Sequence, residues 1–459
     1  MASERLTQEV KIGDLPRIEL GAFNWQPIDK VVTPTAGPPA GGAANVQKPV
    51  NLPPNFLPAN RLTNREFPLN MLENRTFAGT GYNVVWRPRS LKPLVKDEPE
   101  GSERDILQLN LTAETLAFSG NIGDVPNRGA DSQEDLILRG LPYIQRIGAF
   151  EDETTGSNSS KEPFGIHFEP GVFMFVPKCE KNPAGHPETI NRMASIPHGT
   201  TINAQGGINP IQVSGKPDMK DDVLSIFPFV LGAADPVAEE RKRFFQKQLN
   251  FDSDKDSNRL PKNFTRFSKT ITRDIFRDPN QVLRNAIADQ NIESFVRLDL
   301  TTSSKVNPNP PGKVVTANTG IIGGGTANIG FLQGTDTLTD AGKDKVGNAH
   351  AAKMTVTYWI ETLSRNLTIQ PRTGNEQVFP TAVSAAGVLG PTFFVSKEES
   401  DKLSSPVTKK VTWTQIQYSQ NVTLNFNGLS WPHISVATLG DISRIPVPDV
   451  LGDKIRAVL

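Results

Sequence analysis

Along much of this chain apolar residues recur at every second position, in short runs broken by glycine and proline. In DILQLNLTAETLAF, Leu107, Leu109 and Leu111 alternate with polar neighbours, and Leu116 and Phe118 resume after a break. A period of two sends successive side chains to opposite faces of an extended chain, so such runs predict half-buried strands. FAGTGYNVVWRP predicts a strand with a glycine-rich start, closed by Pro88. GIHFEPGVFMFVP predicts a strand pair with Pro170-Gly171 as its turn. TINRMASIPHGTTINAQGG, SFVRLDLTT, AKMTVTYWIETL and VTWTQIQYSQNVTLNFNGL continue the pattern. Eight to ten strands result, and alternation leaves each with one wet face, which favours antiparallel over parallel sheet. Residues 354–363 and 411–428 are expected to be antiparallel strands of one sheet.

Two segments carry a helical period instead. PVAEERKRFFQKQL opens with Pro236 at a first helical position and sets charge around Phe244, Phe245 and Leu249. DPNQVLRNAIADQNI predicts an amphipathic helix over 279–291, with Asp278 as cap and Pro279 in the first turn. Val282, Leu283, Ala286 and Ile287 form its apolar face, and Arg284 and Asp289 its polar face. Both segments fall in an insertion spanning about 215–292. Residues 303–350 and 371–410 read as loop-rich elaborations. Proline, glycine and alanine dominate residues 27–68, so residues 1–68 read as an N-terminal arm with polyproline character. No fixed-period repeat supports a solenoid or propeller.

The expected fold is therefore all-β: one antiparallel, calycin-like β-barrel across residues 69–459, its strands ending near residue 445, with a small helical insertion. Closure of a barrel removes the exposed edges that so many antiparallel strands would otherwise present. A barrel of this strand number can hold one small ligand.

Composition narrows the function classes. Lysine plus arginine number 49 and aspartate plus glutamate 49, so the net charge is zero and the footprint of a nucleic-acid binder is missing. The single cysteine, Cys179, excludes a disulfide framework, an iron–sulfur cluster and a multi-cysteine zinc site. Cys179 reads as structural, since His186 is its only nearby base. No apolar run reaches the length of a membrane span, and MASERLTQEV has no secretory character, so a soluble, cytoplasmic protein is expected. The chain has no GxSxG elbow, P-loop or HExxH motif, and Gly323-Gly324-Gly325 reads as a bend beside a strand.

The histidines carry the remaining chemistry. His167 and Glu169 share one face of a strand; His198 lies between Pro197 and Gly199 in a tight bend. His433, Ser435 and Ala437 share a face opposite Ile434, Val436 and Thr438. His186 and His350 read as solvated loop residues. Taken in order, these motifs resemble the nitrobindin group, haem-binding β-barrels related in shape to fatty-acid-binding proteins. The resemblance is carried by Phe77, Gly79 and Gly81, by His167, Glu169 and Gly171, by Ala194, Ser195, Pro197 and Gly199, and by His433. It implies haem as cofactor, with His433 as the axial ligand and Trp431, His167 and His198 beside it.

Three functions follow as expectations. The first is a barrel enclosing a hydrophobic small molecule, haem among the options. The second is an enzyme in which His167, Glu169 and His198 perform acid–base chemistry (an isomerase, a cyclase or a peroxidase-like activity), or in which the three histidines His167, His198 and His433 with a carboxylate hold a divalent metal. The third is an assembly subunit, a homo-oligomer held by its arm through Phe23, Trp25 and Phe56. The sharpest expectation is that His433 lies on the last barrel strand and points inward, towards a space also reached by His167 or His198.

Overall fold

The computed structural model describes residue 62 and residues 66–87, 106–130, 134–152, 164–179, 188–206, 212–220, 229–230, 278–302, 325–328, 350–426 and 429–451. The expected helix at 236–249, His186, and the arm residues Phe23, Trp25 and Phe56 lie outside them. In chain order the elements are β1 (Thr76–Arg87), β2 (Ile106–Phe118), β3 (Val125–Asn127), β4 (Leu136–Asp152), β5 (Phe164–Val176), β6 (Thr189–Ser195), β7 (Thr200–Gly206), β8 (Gln212–Ser214) and β9 (Phe229–Val230). Helix α1 (Gln281–Ala286), β10 (Ile292–Thr301), β11 (Gly325–Asn328), β12 (His350–Ile369), β13 (Gln377–Pro380) and β14 (Thr392–Val395) follow. Helix α2 (Lys397–Asp401), β15 (Val407–Phe426), β16 (Leu429–Asp441) and β17 (Arg444–Pro446) complete the set.

Ten strands pair in the order β7-β6-β5-β4-β2-β1-β16-β15-β12-β10, all antiparallel. β10 then pairs back onto β7, with Leu300 opposite Gly206 and Thr301 opposite Gln205, and the sheet closes into a barrel. At this seam a Cβ on Gly206 would stand 1.9 Å from the Asp299 carbonyl oxygen, so only glycine lets the strands meet. Among the described residues no helix is long and apolar enough to cross a membrane.

Register fixes which side chains face the lumen. Phe77, Leu116, Phe173, Ile190, Leu298, Val356, Ile416 and Leu439 belong to one buried cluster to which every barrel strand contributes. Leu62, Leu69 and Leu72 join this cluster, and Glu66 pairs with Arg139 at 2.9 Å. Residues 62 and 66–68, assigned to the arm from composition, thus belong to the barrel body.

A second cluster covers the outside of β1, β16, β15 and β12. Tyr82, Val84, Trp359, Trp413, Ile434 and Val436 pack there against Leu283 and Ile287 at α1, and against Phe393 and Val395 of the small β13-β14-β17 sheet. Burial on both faces explains why β15 is closed to solvent from Trp413 to Ser419 although its sequence alternates. The polar members of its outward face are bonded to what lies above them. Gln417 donates to the Leu283 carbonyl at 2.9 Å, and Ser419 donates to Asn280 Oδ1 at 2.6 Å.

The expected strand pair 354–363 and 411–428 is present as β12 and, as far as Phe426, β15, with Met354 opposite Val422 and Leu363 opposite Trp413; residues 427–428 lie outside the described residues. Other expectations need correction. Pro170-Gly171 is no turn: β5 runs through it, and a Cβ on Gly171 would meet the Met193 carbonyl at 2.5 Å and the Tyr143 ring at 2.6 Å. That glycine serves close packing. β2 is likewise unbroken, because Leu111 lies outward while Leu116 and Phe118 point into the lumen. The 279–291 helix is shorter than its periodicity suggests. Asp278 bonds Arg284 and Gln281 instead of capping, Asn280 is captured by Ser419, and the helix gives way to a turn at Ile287. Leu283 and Ile287 are buried, Val282, Arg284 and Ala286 half-buried, and Asp289 exposed. So short a helix has little stability of its own and follows its tertiary contacts. The 371–410 stretch holds β13, β14 and α2, the last with a capping box of Ser396 and Glu399. His350, expected in a loop, opens β12 opposite Asn425.

Candidate functional site

Two strands and one hairpin bring the histidines together. β5 places His167, Glu169 and Gly171 on the lumen face, His167 opposite Ile147 and Glu169 opposite Gln145 of β4. The β6–β7 hairpin turns at residues 196–199, held by Ile196 N–H to the Thr200 carbonyl at 3.0 Å and Gly199 N–H to the Ile196 carbonyl at 3.0 Å. It carries His198 to the same end, where its ring meets that of His167 edge-on, with centroids 5.1 Å apart. β16 presents His433, Ser435 and Ala437 inward, with Ser435 opposite Asn83 of β1. His433 therefore lies on the last barrel strand and faces the lumen, as its pattern predicts.

Electrostatics place the three rings in one neighbourhood. Burial, and then the charges of His167 and His198, push His433 down to about 4. Burial and His167 also lower His198, against an opposing pull from Glu169. His433 is consequently neutral near pH 7. Asn83 Nδ2 donates to His433 Nε2 at 2.7 Å and to Ser435 Oγ at 2.7 Å, while Asn83 Oδ1 accepts from Asn110 Nδ2 at 3.1 Å. That chain orients the Asn83 amide and leaves the His433 proton on Nδ1. Trp431 is buried in the same cluster as Ile434 and Val436.

Deeper in the lumen lies a charged network. Arg192 of β6, only 2% exposed, donates to Glu169 Oε1 from Nη2 at 2.6 Å and from Nε at 3.0 Å. It also donates to Gln420 on β15 at 2.6 Å, reaching from β6 to a strand with which β6 does not pair, and to Gln145 at 3.4 Å. Tyr143 donates to Glu169, and His167 Nε2 lies 3.1 Å from Glu169 Oε2. Burial raises the Glu169 carboxyl, yet Arg192, His167 and Tyr143 overcome it and bring it to about 2. Glu114 is placed differently. Burial raises it despite hydrogen bonds from Tyr418, at 2.6 Å, and Thr112, at 2.8 Å.

Among the described residues no group of three histidine, cysteine, aspartate or glutamate side chains is placed to hold a metal ion. Asn83, Glu114, Tyr143, Gln145, Arg192 and Gln420 were not singled out from sequence. A signal existed for Arg192, which shares strand parity with Ile190 and Ala194 and so is a charge on an apolar face. Cys179 is buried, in keeping with a structural part.

Fold and site together define a closed, ten-stranded antiparallel barrel with a histidine cluster at its hairpin end and an arginine-centred bridge beneath it. No family model, curated protein or solved structure matches the chain.

Proposed function

We propose that the chain is a small-molecule-binding barrel whose ligand sits at the hairpin end. The observation that carries this reading is a contrast in exposure along the inner face. Glu169, Gln145 and Arg192 are buried, whereas the inward-facing Ile147, His167, Ala194 and His433, nearer the hairpin, keep partial exposure. Lumen residues that solvent reaches line a recess, and the Arg192–Gln420 bridge forms its bottom. Ile147, Ala149, Ile202 and Val422 give it an apolar wall, and Asn83, Ser435 and the neutral His433 supply uncharged hydrogen-bonding groups. Such a lining suits an uncharged, amphipathic molecule.

Haem fits this lining poorly. The Nε2 that would reach iron already accepts from Asn83 at 2.7 Å, and the lumen below is crossed by charged and amide groups instead of an apolar slot. Titration with the neutral fluorophore N-phenyl-1-naphthylamine tests the reading. Saturable enhancement at one probe per chain is expected, and Ile147→Trp should abolish it while leaving the thermal midpoint in place. Enhancement that never saturates, or that ignores Ile147→Trp, would refute the recess. Hemin added in parallel should give no stoichiometric Soret shift.

A further inference from the structure

We propose that this recess also holds a general base: His167 takes a proton from carbon of an uncharged carbonyl compound, and His433 donates a hydrogen bond to the oxygen that gains charge. The proposal rests on the recess being a binding site. The positions of two protons carry it. Glu169 is fully buried, ionised and engaged by Arg192 and Tyr143, so it can only accept from His167, whose Nε2 stands 3.1 Å away. The proton of neutral His167 is therefore on Nε2, and its lone pair on Nδ1. The reverse holds for His433. Its Nε2 accepts from Asn83 at 2.7 Å, so its proton is on Nδ1.

One ring thus offers an acceptor nitrogen and the other a donor, and neither atom has a hydrogen-bond partner among the described residues. Both rings face the lumen and both keep partial exposure; His167 is 19% exposed. Glu169 fixes the His167 tautomer and stabilises the imidazolium that proton transfer creates. Arg192 keeps Glu169 from taking that proton itself. A base and a neutral hydrogen-bond donor held apart in one apolar-walled recess are what enolisation needs.

The step balances without any co-reactant. The α C–H bond breaks and its proton goes to His167 Nδ1. The freed electron pair forms a C=C bond as the carbonyl pair moves onto oxygen, which His433 Nδ1–H stabilises. Return of the proton to a different carbon of the conjugated system gives the isomer.

5-Nitrobenzisoxazole reports such a base directly, because removal of its C–H proton breaks the N–O bond and releases a coloured cyanonitrophenolate. Saturable turnover is expected, with kcat/KM falling on the order of 100-fold in His167→Ala. If His167→Ala turns over like the parent while still binding N-phenyl-1-naphthylamine, the general base is refuted and the recess stands. If the parent neither binds that fluorophore nor turns over, the recess itself is refuted.

Discussion

Glu361 lies on the outward face of β12, fully buried beside Gln415, whose amide also bonds Gln290. Its Oε2 accepts from Gln415 Nε2 at 2.6 Å, while its Oε1 has no hydrogen-bond partner among the described residues. Burial raises this carboxyl from 4.5 to about 8, and neither Gln415 nor the charge of Lys216 offsets that. The sign of the consequence follows from proton counting. Above its ordinary value the unfolded chain has released this proton, whereas the folded chain keeps it until about pH 8. Stability therefore falls as pH rises through that window, by about 1.4 kcal/mol per pH unit. The loss amounts to roughly 3 kcal/mol at pH 7 and levels off near roughly 5 kcal/mol above pH 8. Glu361→Gln copies the shape of the protonated acid and keeps an oxygen for Gln415, so it should remove this penalty. Urea unfolding of both proteins from pH 5 to pH 9 reads the effect. The variant should match the parent near pH 5 and exceed it progressively towards pH 8. Parallel pH dependences in the two proteins would mean that Glu361 ionises freely and that the reasoning is wrong.

The buried ion pair and the barrel seam give two further expectations. Arg192→Met leaves Glu169 ionised in the lumen and should cost roughly 3–5 kcal/mol in denaturant titrations, whereas the double change Arg192→Met with Glu169→Met should recover much of that loss. A double variant no more stable than the single one would show that the pair is not the cause. Gly206→Ala forces β7 away from the Asp299 carbonyl and should destabilise by about 2 kcal/mol, with amide exchange quickened first at Leu300 and Thr301. Exchange quickened evenly around the barrel would place the strain elsewhere.

The strands were legible because alternation survives wherever one face meets the lumen and the other meets water or an overlying layer. β12 and β15 show this, since Met354, Val356, Tyr358 and Ile360 on one and Ile416, Tyr418 and Val422 on the other keep a single parity towards the lumen. The turn assigned to Pro170-Gly171 failed for a physical reason. Glycine can serve a bend or a close contact, and the Tyr143 ring that demands the contact comes from a different strand. The 279–291 helix failed similarly, because Ser419 and Arg284 hold the groups that would have capped or extended it. His167, Glu169, His198 and His433 could be found because each sits at a strand position with a definite parity. The partners that set their protonation could not. Asn83, Arg192 and Gln420 reach them through register across the barrel, and no local pattern carries that information.

Among the described residues the second apolar layer lies over β1, β16, β15 and β12 alone, which makes the barrel mechanically lopsided. On that side each strand is clamped from within and from without. Across the lumen, Phe168 and Met193 on the outer face of β5 and β6 stand open, at 39% and 45% exposure, and among the described residues β7 meets β10 through two residue pairs. Local opening follows the weaker wall. His433 thus rides on a doubly packed spine, whereas His167 and His198 belong to a thinner leaf, the side where amide exchange should be faster.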